Sequence, residues 1–429
     1  MSPPPVSLVI PPALAAEAGR FTPEPLTAAT LARRRAALEE HVRVAGLGEM
    51  DVTLLPALGG IIARGPVARY DDGCAAFEDY RVPPRDVSFP SPPQTVRLGP
   101  GWHLEAAGLD LPRGGAGGHE GALSDDVVVG IIDSGVRPEE AELAHLAAGG
   151  RLHFASFEPS GRRGSDAPRD IARGHGTTSV ALVAGATIGV EPRAHVAMAL
   201  AERDRDEPGS AERGWSGLAA IWAAYDWLLS AEHAPGKRGV DVICVNLESH
   251  SRAAARFLDL PIRWARRALG VLTVVPAGNR GLSDLASYDE ALAVGAHGWD
   301  GRAIPPSGYG TSFLGAPKPE LLAPGFRVAG FKEVAGRLVS GTSCAAPLVA
   351  GSAAWLMRRR PELRGAPDRL SAALWTLCDS ERVADESEHT RSAWGRLRLS
   401  RLAMDADGTL PGGRKGVGHG LRAVQGGSV

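Results

Sequence analysis

The chain has 429 residues, 44% of them hydrophobic, and a formal net charge of −2. So even a balance argues against a partner held by bulk charge, whether nucleic acid or a membrane surface, and no run of about 18 apolar residues offers a membrane span. The four cysteines (Cys74, Cys244, Cys344, Cys378) form no CxxC pair, which argues against a zinc site or a dense disulfide framework.

Met1-Ser2-Pro3-Pro4-Pro5 brings neither a basic n-region nor an apolar h-region, so the chain reads as cytoplasmic. A short strand is predicted at 6–10. From 26 to 44, Leu31, Leu38 and Val42 recur at helical spacing among charged residues, which predicts an amphipathic helix. Strands follow at 52–55, 60–63 and 77–82, giving a small α+β domain over residues 1–82. Residues 83–100 hold six prolines and read as an extended linker; together with the start of the next region it spans 83–119.

From residue 125 buried strands alternate with helices, which predicts a doubly wound, mostly parallel sheet with helices on both faces over 120–408. The strands are expected at 127–132, 195–200, 240–245, 271–275 and 291–294. The helices are expected at 177–184, 217–230, 251–269 and 345–359. The Gly-rich, apolar-poor stretch 409–429 reads as a flexible tail.

Four stretches carry chemistry. Val127 to Ile132 runs into Asp133-Ser134-Gly135, which sets a carboxylate beyond the carboxyl end of a buried strand, although Asp-Ser-Gly is also common turn chemistry. Gly174-His175-Gly176-Thr177 opens a helix with a sterically open imidazole, or equally a solvated loop histidine. Pro276-Ala277-Gly278-Asn279 ends a strand with an amide that either caps a turn or donates to an anion. In Gly341-Thr342-Ser343-Cys344-Ala345-Ala346-Pro347 a serine stands among small residues at a helix start, either as an ordinary N-cap or as a nucleophile. Pro347 is expected in that helix's first turn.

In the order Asp133, His175, Asn279, Ser343, these blocks resemble the subtilisin-like serine proteases over roughly residues 100–405. The segment Lys318-Pro319-Glu320-Leu321-Leu322-Ala323-Pro324-Gly325 resembles one that many members carry before the serine. The resemblance implies a serine endopeptidase acting on polypeptides: Ser343 as nucleophile, His175 as base, Asp133 as its orienting carboxylate and Asn279 as oxyanion donor. It implies no cofactor and no metal, because the stretch 186–192 is too short for the family's calcium loop. It also leaves open a dedicated processing protease or transpeptidase, and a non-catalytic binding module.

The chain departs from the family pattern at Val245-Asn246-Leu247-Glu248-Ser249, where Ser-Leu-Gly-Gly is usual. Asn246, Leu247, Glu248 and Gly278 are expected to border the substrate groove. Glu248 either presents a carboxylate there, favouring Arg or Lys before the scissile bond, or faces solvent or Arg252. Cys344 replaces a common methionine and reads as a packing residue, with thiol sensitivity as the lesser alternative. Residues 1–82 loosely resemble inhibitory propeptides, which implies an intramolecular inhibitor or chaperone with a segment near 80–91 in the groove. Self-cleavage would then fall within 82–118, and a permanently attached recruiting domain remains the alternative.

Overall fold

A run such as Val127 to Ile132 is apolar on both sides, and only a strand covered on both faces buries all of it. In the computed structural model, described over residues 6–11, 26–64, 75–78, 81–82, 102–107, 126–172, 174–201, 216–249, 252–329, 338–379 and 392–399, it forms the Val128–Asp133 strand of a nine-stranded sheet. The strands lie in the spatial order Cys378–Asp379, Arg396–Leu397, Leu321–Pro324, Ala291–His297, Leu272–Pro276, Val242–Val245, Val128–Asp133, His195–Leu200, Leu152–Ser156. Every pairing is parallel except that of Cys378–Asp379 with Arg396–Leu397. The fold is α/β, as expected.

Alternation within one strand divides the core. Val129 and Ile131 pack with the helices His175–Ala184 and Thr342–Arg359 on one face. Val128 and Ile132 pack with Leu218–Ser230 and Arg252–Leu269 on the other. From Val128–Asp133 the chain runs out to Leu152–Ser156 and back to His195–Leu200, then crosses to Val242–Val245 on the other side. Asp133 and Asn246 therefore flank a topological switch point at the carboxyl ends of neighbouring strands, where open sheets form their crevices.

The N-terminal unit is a four-stranded antiparallel sheet in the order Asp51–Leu55, Gly60–Arg64, Val6–Ile10, Ala75–Glu78. The helix Ala28–Val44 covers it through Leu38, packed on Val9 and Ile61. Thr27 caps that helix by accepting the Thr30 N–H at 3.1 Å.

The unit does not stand apart from the large sheet. Leu8, Leu55, Leu58 and Ile62 share one buried cluster with Trp222, Tyr225, Leu258 and Trp264 of the two facing helices. Side chains of that size contribute about 1.5–3 kcal/mol each on full burial. Polar groups fix the register: Asp226 accepts the Ala57 N–H at 2.7 Å and the Leu58 N–H at 3.2 Å. The Ala57 carbonyl accepts from Arg34 and from Trp264 Nε1 at 2.8 Å. Arg34 also lies over the Trp264 ring, and Arg162 pairs with Asp51.

Some elements differ from expectation. The strands Leu152–Ser156 and Leu321–Pro324 and the helix Pro367–Thr376 lie outside the predicted elements. The first is a half-buried edge strand with a weak apolar signal, and the second has only four residues. The strand expected at 77–82 is two strands, Ala75–Glu78 and Arg81–Val82, and the latter pairs antiparallel with Ser216–Gly217. Residues 83–101 of the expected linker and the tail 409–429 lie outside the described residues. Among the described residues no helix is long and apolar enough to cross a membrane.

Candidate active site

Asp133 is the last residue of its strand and fully buried. Two glycines let a second element reach it. Gly135 has φ +105°, and a Cβ there would lie 1.9 Å from the Arg169 carbonyl oxygen. A Cβ on Gly176 would lie 2.1 Å from the Gly135 carbonyl oxygen, so the aspartate turn and the His175 helix touch backbone to backbone. At that contact His175 Nδ1 stands 2.7 Å from Asp133 Oδ1, with 41% of the histidine side chain exposed.

Asp133 also accepts from the Ser134 N–H at 2.6 Å, Ser179 Oγ at 2.7 Å and Asn246 Nδ2 at 3.1 Å. Burial alone would raise its pKa. The His175 ring, with the hydrogen bonds from His175, Ser134 and Ser179, holds the carboxyl below its ordinary range instead. An ionised carboxylate only accepts, so His175 Nδ1 carries the proton and Nε2 is left basic.

The histidine helix has a support that sequence reasoning missed. Asp170 accepts the Ala172 and Gly174 N–H groups and the Ser134 hydroxyl on Oδ1, and the Thr177 N–H and hydroxyl on Oδ2. It thereby satisfies donors at a helix start that have no partner within the helix, and its charge suits the dipole there. An aspartate shortly before Gly-His-Gly-Thr was the available signal.

Ser343 is the second residue of the helix Thr342–Arg359. That start places Pro347 in the second turn, not the first as expected. Proline has no N–H, so the Ser343 carbonyl four residues earlier lacks its helical donor. Asn246 Nδ2 supplies one at 2.9 Å while also facing Asp133 and Ser179. One buried carboxamide thus joins the start of the Ser343 helix to the Asp133–His175 pair. Asn246 was expected to border the groove; its side chain turns inward and is 3% exposed.

Asn279 follows the strand Leu272–Pro276 and caps the same helix from outside. Its Oδ1 accepts the Thr342 N–H at 2.9 Å and the Thr342 hydroxyl at 3.3 Å. The Gly278 N–H donates to Thr342 Oγ1 at 3.2 Å. Glu248 is turned to Asn279, with Oε1 3.0 Å from its N–H and Oε2 3.3 Å from Nδ2. Leu247 is partly buried against the core on the N-terminal unit's side of the sheet. Among the described residues no cluster of three His, Cys, Asp or Glu is arranged to hold a metal ion.

A family model described as the Subtilase family matches residues 124–395, more than half of the chain. The chain belongs to the subtilase family. It is 29% identical over 246 residues to a subtilisin-like protease of Coccidioides posadasii, a match covering 56% of this chain and 53% of that protein. Against subtilisin DY of Bacillus licheniformis identity is 28% over 280 residues, covering 62% of this chain and 88% of the relative. A solved structure of the epidermin leader peptide processing serine protease of Staphylococcus aureus has a similar fold, with TM-score 0.59 and 15% identity. That likeness covers 94% of this chain and 99% of the other.

In this subtilase the residue after Ser343 is a free cysteine, 4% exposed. Burial pushes the Cys344 thiol up to about 12, against a weaker lowering by the Ser343 side chain. Thiolate is the reactive form. Iodoacetamide at pH 8 is therefore expected to leave Cys344 unmodified in the folded protein, checked by peptide mass mapping. Rapid alkylation of Cys344 without unfolding would contradict this.

Proposed function

We propose that the protein is a serine endopeptidase in which Ser343 is the nucleophile, His175 the general base and Asp133 the carboxylate that orients it. The observation that carries this reading is the 2.7 Å contact between a buried, ionised Asp133 and a half-exposed His175, beside the start of the Ser343 helix. A serine hydroxyl is too weak a nucleophile at neutral pH without a base. His175 Nε2 takes its proton as Oγ attacks the scissile carbonyl, then returns that proton to the leaving amine. Asp133 fixes the tautomer and stabilises the imidazolium. The Asn279 carboxamide and the Ser343 N–H donate to the oxyanion.

In this reading residues 1–82 form an inhibitory or chaperoning domain and 120–408 the catalytic domain. The antiparallel pairing of Arg81–Val82 with Ser216–Gly217, a two-stranded ladder separate from the large sheet, supports it, since the segment leaving the N-terminal unit pairs by its backbone with the proposed catalytic domain. A substrate recognised by backbone pairing would use the same kind of contact. A second reading, action on one dedicated peptide, is favoured by the likeness to the leader peptide processing protease, which extends over nearly the whole chain.

The test is mass-resolved labelling with a fluorophosphonate, comparing wild type with Ser343→Ala. Wild type is expected to gain one adduct and the variant none. If wild type, still folded by circular dichroism, stays unlabelled even after limited proteolysis within 82–118, the peptidase reading fails. N-terminal sequencing of the same samples reports self-cleavage within 82–118, and product masses separate hydrolysis from transfer to an amine.

A further inference from the structure

We infer that Glu248 is a positioning residue that fixes which end of the Asn279 carboxamide faces the reacting carbonyl. The inference rests on the peptidase reading above. An asparagine amide turns about a broad, two-fold terminal torsion, so nothing in the side chain itself chooses between presenting oxygen and presenting nitrogen. The neighbours must choose.

On one side stands the Thr342 N–H, which can only donate, 2.9 Å from Asn279 Oδ1. On the other stands a Glu248 oxygen, which only accepts when ionised, 3.3 Å from Nδ2. Turning the amide over would set N–H against N–H at Thr342 and oxygen against oxygen at Glu248. Both ends therefore specify one orientation. The second Glu248 oxygen accepts the Asn279 backbone N–H at 3.0 Å, so a single carboxylate holds the main chain and the side chain of the same residue.

The amide nitrogen has two hydrogens. Glu248 takes one and leaves the other for the oxyanion. The clamp sets a negative charge close to where another develops, so its value lies in orientation and not in field. Both oxygens serve Asn279, yet each keeps a second lone pair, so only substrates with basic and with neutral residues before the scissile bond, compared side by side, separate this role from that of a carboxylate receiving a basic side chain.

The test is a double-mutant cycle on the full chain with Glu248→Ala, Glu248→Gln and Asn279→Ala. It is read by kcat and KM on peptides with neutral and basic residues before the scissile bond, and by the rate of fluorophosphonate labelling. Asn279→Ala is expected to cost about 10²–10³ in kcat. Each Glu248 variant is expected to lower kcat and labelling rate about 10–10²-fold with KM nearly unchanged, and to add nothing in the Asn279→Ala background. The glutamine variant is close in shape, so it keeps the test valid if the alanine variant misfolds. Additive losses overturn the inference, as do losses confined to KM for basic substrates. Labelling of the Glu248 variants at the wild-type rate overturns it alone; a wild type that neither labels nor cleaves overturns the peptidase reading, and the inference with it.

Discussion

Replacing Asp133 with asparagine is expected to lower kcat about 10⁴-fold while KM changes little. The size follows from how the carboxylate is used. Each oxygen accepts hydrogen bonds: Oδ1 from His175 and the Ser134 N–H, Oδ2 from Ser179 and Asn246. An asparagine offers one acceptor and one donor. If its oxygen faces His175, its NH₂ is pressed against Asn246 Nδ2. If its NH₂ faces His175, the ring must protonate on Nε2, and the atom that should accept the serine proton is blocked. Either way no negative charge remains to stabilise the imidazolium. Steady-state kinetics on an unstructured peptide checks the prediction. A kcat within tenfold of wild type, with an unchanged fold by circular dichroism, would remove Asp133 from the mechanism.

Docking of the N-terminal unit is expected to weaken by about two to three orders of magnitude as pH rises from about 4 to about 7. Burial pushes the Asp226 carboxyl up to about 7, opposed by the Leu58 and Ala57 N–H groups and by Arg35 and Arg34. The bonded state thus holds a proton that an exposed aspartate would release near pH 4. Stability from this group is full below the undocked pKa and is lost as pH rises through the docked one. Both N–H groups converge on Oδ1, so a proton on Oδ2 leaves both bonds intact. Asp226→Asn keeps an acceptor without a titratable charge and should flatten the profile. Amide exchange at Ala57 and Leu58, corrected for its intrinsic pH dependence, measures the opening. A flat wild-type profile between pH 5 and 8, or the same slope in Asp226→Asn, would defeat this account.

Much of the architecture was legible because its strands are buried on both faces and so carry almost no polar residues. Runs such as 127–132 and 195–200 have few other ways to be buried, and the glycines around Asp133 and His175 marked where backbones must approach closely. What the sequence concealed depended on a single turn of backbone. Asn246 lies one residue beyond its strand, where side-chain direction no longer follows the pleat, and it faces Asp133. The spacing puts Pro347 in a first turn only for a helix that begins near Ala345; the helix begins at Thr342, so the carbonyl that Pro347 leaves without a helical donor is that of Ser343. Glu248 could be given a position against a family pattern, but a position is not a rotamer. Asp170 has partners that are mostly backbone N–H groups, which leave no trace in residue identity.

The core shared between the N-terminal unit and the helices Leu218–Ser230 and Arg252–Leu269 bears on what the rest of the chain is when alone. Trp222, Tyr225, Leu258 and Trp264 are each no more than 3% exposed. Stripping away Leu8, Leu55, Leu58 and Ile62 would uncover an adhesive apolar face with Asp226 set into it. Such a face favours self-association. Any cut in the segment after Val82 therefore leaves a nicked, two-piece protein held by that face, and its working lifetime depends on how slowly the pieces part.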